Sequence, residues 1–245
     1  MSKVTYPIYK ASERIVFNAN GTYTLLDTGF PKSISLNGKI GPFSVNTKDR
    51  GFFDSFINLT IPDGSKVTAI LTPMDGYNCH LTQDSVTITD DEEDIPEHEF
   101  FLPFIPALVP SFIPEFMLPF DKNKLPIVEG TMNGTPIRFF FDSGARMTMF
   151  GEEELAGGKS SMGSYTEWMA MLKKHETLSV YDVALEFPCG LHYDGKGALV
   201  EDTEYLMAGR MMGIRAMLGI DFFNEYDLYF STANARRGIA LAKRK

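Results

Sequence analysis

The sequence predicts a mainly β protein with few short helices. Short apolar runs bounded by turn residues recur along the 245-residue chain, and the clearest are Thr22 to Leu26, Val67 to Leu71, Ser85 to Thr89, Ile137 to Phe141 and Leu178 to Phe187. Two tight-turn dipeptides, in which both residue types tolerate a positive φ, are Asn20-Gly21 and Asn133-Gly134. Helical patterns are brief and confined to Glu152 to Leu155, Tyr165 to Lys174 and Phe222 to Tyr226.

Composition excludes several classes of protein. Apolar residues make up 44% of the chain and charged residues 22%, which predicts a sizeable core rather than disorder. The 23 basic and 32 acidic residues give a net charge of −9, which disfavours nucleic acid or an anionic membrane surface as the main partner. Two cysteines are too few for a disulfide framework, and the first residues lack a secretory signal pattern. We therefore expect a cytoplasmic protein.

An apolar, proline-rich segment divides the chain. Phe100 to Phe120 is hydrophobic enough to suggest a membrane helix, but it contains Pro103, Pro106, Pro110, Pro114 and Pro119. Proline lacks an amide donor and clashes with the preceding helical turn, so the segment predicts an extended connector with no membrane span. The acidic run from Asp90 to Asp94 precedes it and is typical of a solvated loop. The expected domains are 1–95 and 127–245, joined by a linker at 96–126.

The two halves share a local pattern. In each, an Asn-Gly-Thr turn leads into an apolar strand that ends in Asp-[Ser/Thr]-Gly, with a hydroxyl residue four positions after the glycine. The first copy ends in Asp27-Thr28-Gly29 and Ser33, and the second in Asp142-Ser143-Gly144 and Thr148. One such tripeptide is typical of a turn at a strand end, where aspartate caps backbone amides. Two copies with the same flanking residues indicate a repeated functional loop.

At these residues the sequence resembles the aspartic proteases, most closely the retropepsin-like branch. Phe140 to Ala145 followed by Thr148 is similar to that branch's active-site motif, and Met217-Leu218-Gly219 is similar to its second landmark, an apolar pair and a glycine beneath the aspartate loop. The resemblance implies a two-lobed, acid-protease-like β-barrel architecture with pseudo-two-fold symmetry. It also implies an aspartic endopeptidase that needs no metal or cofactor.

The resemblance assigns roles to particular residues. It implies that Asp27 and Asp142 are catalytic, one from each lobe, and that Leu218 and Gly219 lie beneath the site. The residues that it implies support the active-site loops are Thr28, Gly29, Ser33, Ser143, Gly144, Ala145 and Thr148. The implied substrate is a peptide or an unfolded protein in an inter-lobe cleft, and the expected state is a monomer.

The first half departs from the family pattern and leaves two alternatives open. Phe30-Pro31-Lys32 follows Gly29, and the nearest match to the second landmark, Ile70-Leu71-Thr72, lacks the glycine. One alternative is a homodimeric retropepsin-like protease that uses Asp142 only; the other is a catalytically inactive protease-like module that binds peptides or proteins. Since neither Phe30 nor Ala145 carries a hydroxyl that can stabilise an ionised carboxylate, we expect a less acidic rate optimum than pepsin-like enzymes show. Candidate flap turns are Pro62 to Ser65 and Ser161 to Ser164.

Overall fold

The computed structural model confirms a mainly β protein with two compact units. It describes residues 2–9, 14–48, 51, 59–90, 94–108, 125–169, 174–201, 209–232 and 236–244, without the side chains of Trp168 and Phe223. The first unit comprises Met1–Pro103 and Phe223–Lys245, and the second comprises Phe104–Phe222. The unit boundaries therefore differ from the expected domains at both the linker and the C-terminus.

The first unit contains strands from both ends of the chain. In chain order they are β1 (Lys3–Pro7), β2 (Val16–Ala19), β3 (Thr22–Leu26), β4 (Ile34–Ser35), β5 (Lys39–Ile40), β6 (Phe43–Ser44), β7 (Asn46–Thr47), β8 (Ala69–Leu71), β9 (Asn78–Leu81), β10 (Ser85–Thr89), β11 (Phe100–Pro103), β19 (Tyr226–Ser231) and β20 (Gly238–Lys243). A five-stranded sheet has the order β2-β3-β8-β4-β7, and a six-stranded sheet has the order β1-β10-β9-β19-β20-β11. A short 3₁₀ helix, Pro73–Asp75, follows β8.

The second unit is built around one sheet. Its strands are β12 (Ile127–Met132), β13 (Thr135–Phe141), β14 (Thr148–Phe150), β15 (Gly163–Met169), β16 (Lys174–Glu186), β17 (His192–Leu199) and β18 (Ile214–Leu218). The sheet order is β12-β13-β18-β14-β17-β16-β15, and a further pairing of β12 with β16 closes the sheet on itself. Two 3₁₀ helices, Glu153–Ala156 and Ile220–Phe223, follow β14 and β18.

The last two strands explain why the units differ from the expected domains. The sequence places the strands near Tyr226 and Ile239 with the second domain. In the structure β19 pairs with β9 and β20 pairs with β11, so hydrogen bonds tie both strands to the first unit. The expected linker is likewise divided, because Phe100–Pro103 is a strand of that sheet and the second unit begins at Phe104.

Each unit contains the same arrangement of five strands. The orders β2-β3-β8-β4-β7 and β12-β13-β18-β14-β17 correspond strand by strand. The strand that leads to the Asp-[Ser/Thr]-Gly loop runs parallel to its central neighbour in both, as β3 with β8 and β13 with β18. The strand after the loop is antiparallel to that neighbour in both, as β4 with β8 and β14 with β18. The repeat seen in the sequence is therefore a repeat of topology.

The local predictions have mixed outcomes. Both tight turns are confirmed, with φ of 54° and 89° at Asn20 and Gly21 and of 48° and 80° at Asn133 and Gly134. The predicted strands are present, Thr22–Leu26 and Ser85–Thr89 with the predicted ends and the other three with shifted ends. The predicted helix at Glu152 to Leu155 is the 3₁₀ helix Glu153–Ala156. The helix predicted at Tyr165 to Lys174 is wrong, because Gly163–Met169 is a strand; residues 170–173 lie outside the described residues.

Burial on alternate residues of β13 shows how the core positions the second loop. Ile137, Phe139 and Phe141 are buried, whereas Arg138 and Phe140 between them are half-buried. This two-residue period is that of a strand with one face in the core. The buried phenylalanines fix the strand up to the residue that precedes Asp142.

Only the first nine residues of the apolar segment, 100–108, fall within the described residues. Phe100–Pro103 pairs with β20, and residues 104–108 have no regular secondary structure. The Ile105 amide donates to the Ile127 carbonyl at 2.9 Å, and Ile105 packs against Leu125 and Ile214. Residues 109–124, which include Pro110, Pro114 and Pro119, lie outside the described residues, as do residues 91–93 of the acidic run. The described part of the chain contains no helix with the length and hydropathy that crossing a lipid bilayer requires.

Candidate active site

The loop that carries Asp142 follows directly from the end of β13. The Asp142 amide donates to the Leu218 carbonyl at 2.9 Å, which fixes the loop to β18. The Gly144 amide donates to the Asp142 Oδ1 at 2.8 Å, and the Ala145 amide donates to the Asp142 carbonyl at 3.1 Å. The backbone thus folds round the half-buried carboxylate and holds one of its oxygens in place.

The loop that carries Asp27 repeats these contacts in the first unit. The Asp27 amide donates to the Leu71 carbonyl at 2.9 Å, and the Gly29 amide donates to the Asp27 Oδ1 at 2.8 Å. The Phe30 amide approaches the Asp27 carbonyl at 3.4 Å. Both aspartates are therefore held in the same local backbone geometry, at the ends of topologically equivalent strands.

The hydroxyl four residues after each glycine joins its loop to the central strand. Ser33 Oγ accepts from the Thr72 amide at 3.1 Å and donates to the Thr72 carbonyl at 3.4 Å. Thr148 Oγ1 accepts from the Gly219 amide at 3.4 Å. Ser33 and Thr148 are both fully buried, so each hydroxyl meets its hydrogen-bonding needs inside the protein.

A carboxylate from the following 3₁₀ helix supports the same hydroxyl residue in each unit. Asp75 Oδ2 accepts from the Ser33 amide at 3.1 Å, and Asp221 Oδ1 accepts from the Thr148 amide at 3.0 Å. Burial raises the pKa of Asp221 to about 6, although the amides of Phe222 and Thr148 act in the opposite direction. Neither aspartate is among the site residues predicted from the sequence. Their position two or three residues after Gly219 and Thr72 was the available signal.

The position beneath the loop explains one departure of the first half. A Cβ at Gly219 would overlap the backbone carbonyl group of Met147, so only glycine fits there. The equivalent residue of the first unit is Thr72, since its amide bonds Ser33 as the Gly219 amide bonds Thr148. Thr72 is fully buried, and its Oγ1 accepts from the Met74 amide at 3.3 Å to cap the 3₁₀ helix. The missing glycine is therefore accommodated without loss of the loop's hydrogen bonds.

The other predicted site residues lie in or beside these two loops. Thr28 and Ser143 are almost fully buried. Leu218 is fully buried, and its carbonyl accepts the hydrogen bond from the Asp142 amide. Ala145 is buried against Met149 in the second unit. In the first unit the Phe30 ring packs against a pair of buried residues, Ile34 and Ile70. The bulky residue after Gly29 thus has a packing partner within its own unit.

The two candidate flap turns differ in structure. Pro62 to Ser65 is a hairpin turn, because Thr60 and Lys66 form a bridge across it and the Ser65 amide donates to Asp63 Oδ1 at 2.8 Å. Ser161 to Ser164 is not a hairpin turn and leads into β15 instead. The long hairpin of the second unit is formed by β15 and β16. Among the described residues, no group of three histidine, cysteine, aspartate or glutamate side chains lies close enough together to hold a metal ion.

Comparisons with known proteins find similarity among solved structures. No protein-family model matches the chain, and no curated protein matches it either. Among solved structures, an aspartic proteinase from Irpex lacteus aligns over 98% of this chain and 98% of its own, with 11% sequence identity and a TM-score of 0.49. A similarity of this size does not by itself establish a common fold, so the proposed function depends on the repeat within the chain.

Proposed function

We propose that the protein is an aspartic endopeptidase in which Asp27 and Asp142 together activate a water molecule. The supporting observation is the repeated loop: in both units a glycine amide holds the aspartate Oδ1 at 2.8 Å, and a leucine carbonyl accepts the aspartate amide at 2.9 Å. A single loop of this kind is typical of an ordinary strand-end turn. Two loops with equal hydrogen bonds, on equivalent strands, support a shared chemical role.

The chemistry requires one carboxylate and one carboxylic acid. The carboxylate removes a proton from water, whose oxygen attacks the peptide carbonyl carbon while the acid protonates the carbonyl oxygen. Collapse of the resulting tetrahedral intermediate breaks the C–N bond. The first carboxyl gives the proton that it took from water to the leaving amine, and the second takes back a proton from a hydroxyl of the intermediate. Two carboxyl groups that share one water cannot both ionise, so they titrate as a pair and give a bell-shaped rate profile. The proposal involves no metal or cofactor.

The supporting residues have proposed roles that follow from their contacts. Ser33 and Thr148 hold the two loops against the strands beneath them, and Gly219 admits the close approach of the second loop. Thr28 and Ser143 are buried within the loop turns, and their proposed role is to support those turns. An apolar peptide or unfolded segment is the proposed substrate, because an extended chain exposes its carbonyl groups to attack.

Substitution of each aspartate tests the proposal. We would incubate the wild type, Asp27→Asn and Asp142→Asn with a mixed peptide library between pH 3 and 7 and identify products by mass spectrometry. The matched controls are Asp94→Asn and Asp194→Asn, which make the same change at exposed positions, one in each unit. We expect both loop variants to lose cleavage and both controls to retain it.

The other outcomes are equally specific. Loss of cleavage in Asp142→Asn alone would contradict the single-chain pair and indicate the homodimeric protease, whose activity would also fall on dilution. The equal hydrogen bonding of the Asp27 loop favours the single-chain enzyme over that alternative. Absence of cleavage by the wild type at every pH would refute the peptidase and favour the binding module.

A further inference from the structure

The hairpin of β15 and β16 turns one face toward the Asp142 loop. Strand β15 pairs with β16 from Gly163↔Val180 to Met169↔Lys174. Along β15, Tyr165 is half-buried and Glu167 and Met169 are buried, whereas Thr166 between Tyr165 and Glu167 is exposed. Met169 belongs to the same buried cluster as Ala145, the residue that follows Gly144. The inward face of the hairpin therefore packs directly against the loop that carries the proposed catalytic group.

A buried polar cluster joins the two elements at this contact. Arg146 Nε donates to the Tyr165 hydroxyl at 2.7 Å and to Glu167 Oε2 at 3.1 Å, and Arg146 Nη2 donates to the Thr166 carbonyl at 3.3 Å. The Tyr165 hydroxyl in turn donates to Glu167, and the Arg146 guanidinium carbon lies 4.9 Å from the centre of the Tyr165 ring. Three side chains thus satisfy one another across the junction.

The burial of Glu167 makes this cluster energetically important. Its side chain is 5% exposed, and a carboxylate so far from water needs a cation and hydrogen-bond donors. Burial and then the hydrogen bond to Glu167 raise the pKa of Tyr165, so its hydroxyl remains a donor. Removing one partner of a buried ion pair is far more disruptive than removing an exposed one, because the remaining charge stays buried without compensation.

Arg146 lies at the point where the loop is held from both sides. On one side, the Ile220 amide donates to the Ala145 carbonyl at 2.9 Å, and the Asp142 amide donates to β18. On the other side, the next residue along the chain, Arg146, is fixed to the hairpin. A change in the hairpin contact would therefore be transmitted to the residues that surround the Asp142 carboxylate.

We propose that Glu167 and Tyr165 are positioning residues, which fasten the hairpin to the Asp142 loop through Arg146 and so hold Asp142 in its reactive position. This inference rests on the proposed peptidase function. Neither residue is proposed to touch the substrate, so their loss should lower kcat more than it changes KM. A reacting group displaced by 1 Å costs on the order of 100-fold in rate, so partial loosening by one substitution should lower kcat about tenfold.

The test combines amide hydrogen exchange with peptide-cleavage kinetics. The variants are Glu167→Gln and Tyr165→Phe, and the matched control is Glu176→Gln. Glu176 lies opposite Glu167 in the strand register but pairs with Lys174 and is 30% exposed, so the same chemical change there leaves the loop contact intact. For Glu167→Gln we expect exchange in β15 to accelerate about tenfold and kcat to fall by a similar factor, as for loss of a hydrogen bond to a charged group. The control should match the wild type in both measurements.

Each remaining outcome decides a separate claim. If amide exchange in β15 is as slow in Glu167→Gln and Tyr165→Phe as in the control, these residues do not hold the hairpin to the Asp142 loop. If exchange is faster but kcat is unchanged, the positioning role is wrong. If Glu167→Gln does not fold, Tyr165→Phe decides, because it removes only the hydroxyl. If the wild type cleaves no peptide, the proposed function itself is overturned. That result differs from one in which the wild type and both variants cleave equally well, which overturns the positioning role alone.

Discussion

The raised pKa of Asp221 predicts that the stability of the fold depends on pH in a direction opposite to the usual behaviour of carboxylates. This side chain is mostly buried and accepts from the Thr148 amide behind the Asp142 loop. Burial disfavours its charged form, which raises its pKa from 3.8 to about 6. In the folded protein it therefore holds a proton at pH values where the unfolded chain has already released one.

The size of the effect follows from the two pKa values. Each unit of difference corresponds to about 1.4 kcal/mol, so the step from 3.8 to about 6 amounts to about 3 kcal/mol. The contribution is fully present only well below pH 3.8, where Asp221 is protonated in both states. It is lost as the pH rises through 6, because ionisation then costs more in the folded state. Asparagine at this position stays neutral and keeps an oxygen for the Thr148 amide.

Urea unfolding of the wild type and Asp221→Asn at pH 4, 5, 6 and 7 measures this contribution. The difference in the free energy of unfolding between the two proteins cancels the titration of every other group. It should shift by about 2 kcal/mol in favour of the variant between pH 4 and 7, because the unfolded chain has already released part of its proton at pH 4. Asp194→Asn, at a side chain 76% exposed, shows what a surface carboxylate contributes. A difference for Asp221→Asn that stays constant across this range would refute the reasoning.

Three further predictions concern the residues beneath and beside the loops. Gly219→Ala should lower the unfolding free energy by about 1–3 kcal/mol and abolish cleavage, because its Cβ would overlap the Met147 carbonyl group. The control is Gly209→Ala, whose Cβ has no neighbour nearer than 3.7 Å. Equal melting temperatures for the two variants would contradict this prediction. Thr72→Val should cost about 1 kcal/mol in urea unfolding through loss of a helix cap, and an unchanged midpoint would count against that capping role. Ala145→Ser should move the acidic limb of the pH–rate profile to lower pH, since the added hydroxyl can stabilise an ionised carboxylate; an unmoved limb would exclude that contact.

The features that the sequence predicted correctly depend on residues close together in the chain. The Asn-Gly turns form because asparagine and glycine tolerate a positive φ, and the strands after them follow from runs of apolar and β-branched residues. The hydrogen bond from Gly29 to Asp27, and its counterpart from Gly144 to Asp142, likewise span two residues. Local conformational preference was sufficient for all of these.

The predictions that failed, and the contacts that were missed, depend on distant residues. Tyr165 to Lys174 has a composition that suits a short helix, but pairing with β16 and burial against the Asp142 loop make its first part a strand. The support of Ser33 by Asp75 joins residues 42 apart, and that of Thr148 by Asp221 joins residues 73 apart. No periodicity within either segment indicates such a contact.

The sequence by itself determined the β class, the two turns and the two Asp-[Ser/Thr]-Gly loops, because short-range sterics and hydrogen bonds select those conformations. The tertiary structure decided which strands share a sheet, and therefore that residues 226–243 belong with the first unit. It also decided that Thr72 takes the place of a glycine, and that Arg146 meets a buried carboxylate on a hairpin. These contacts form because apolar groups are buried and buried polar groups find partners in distant parts of the chain, and folding alone brings those parts together.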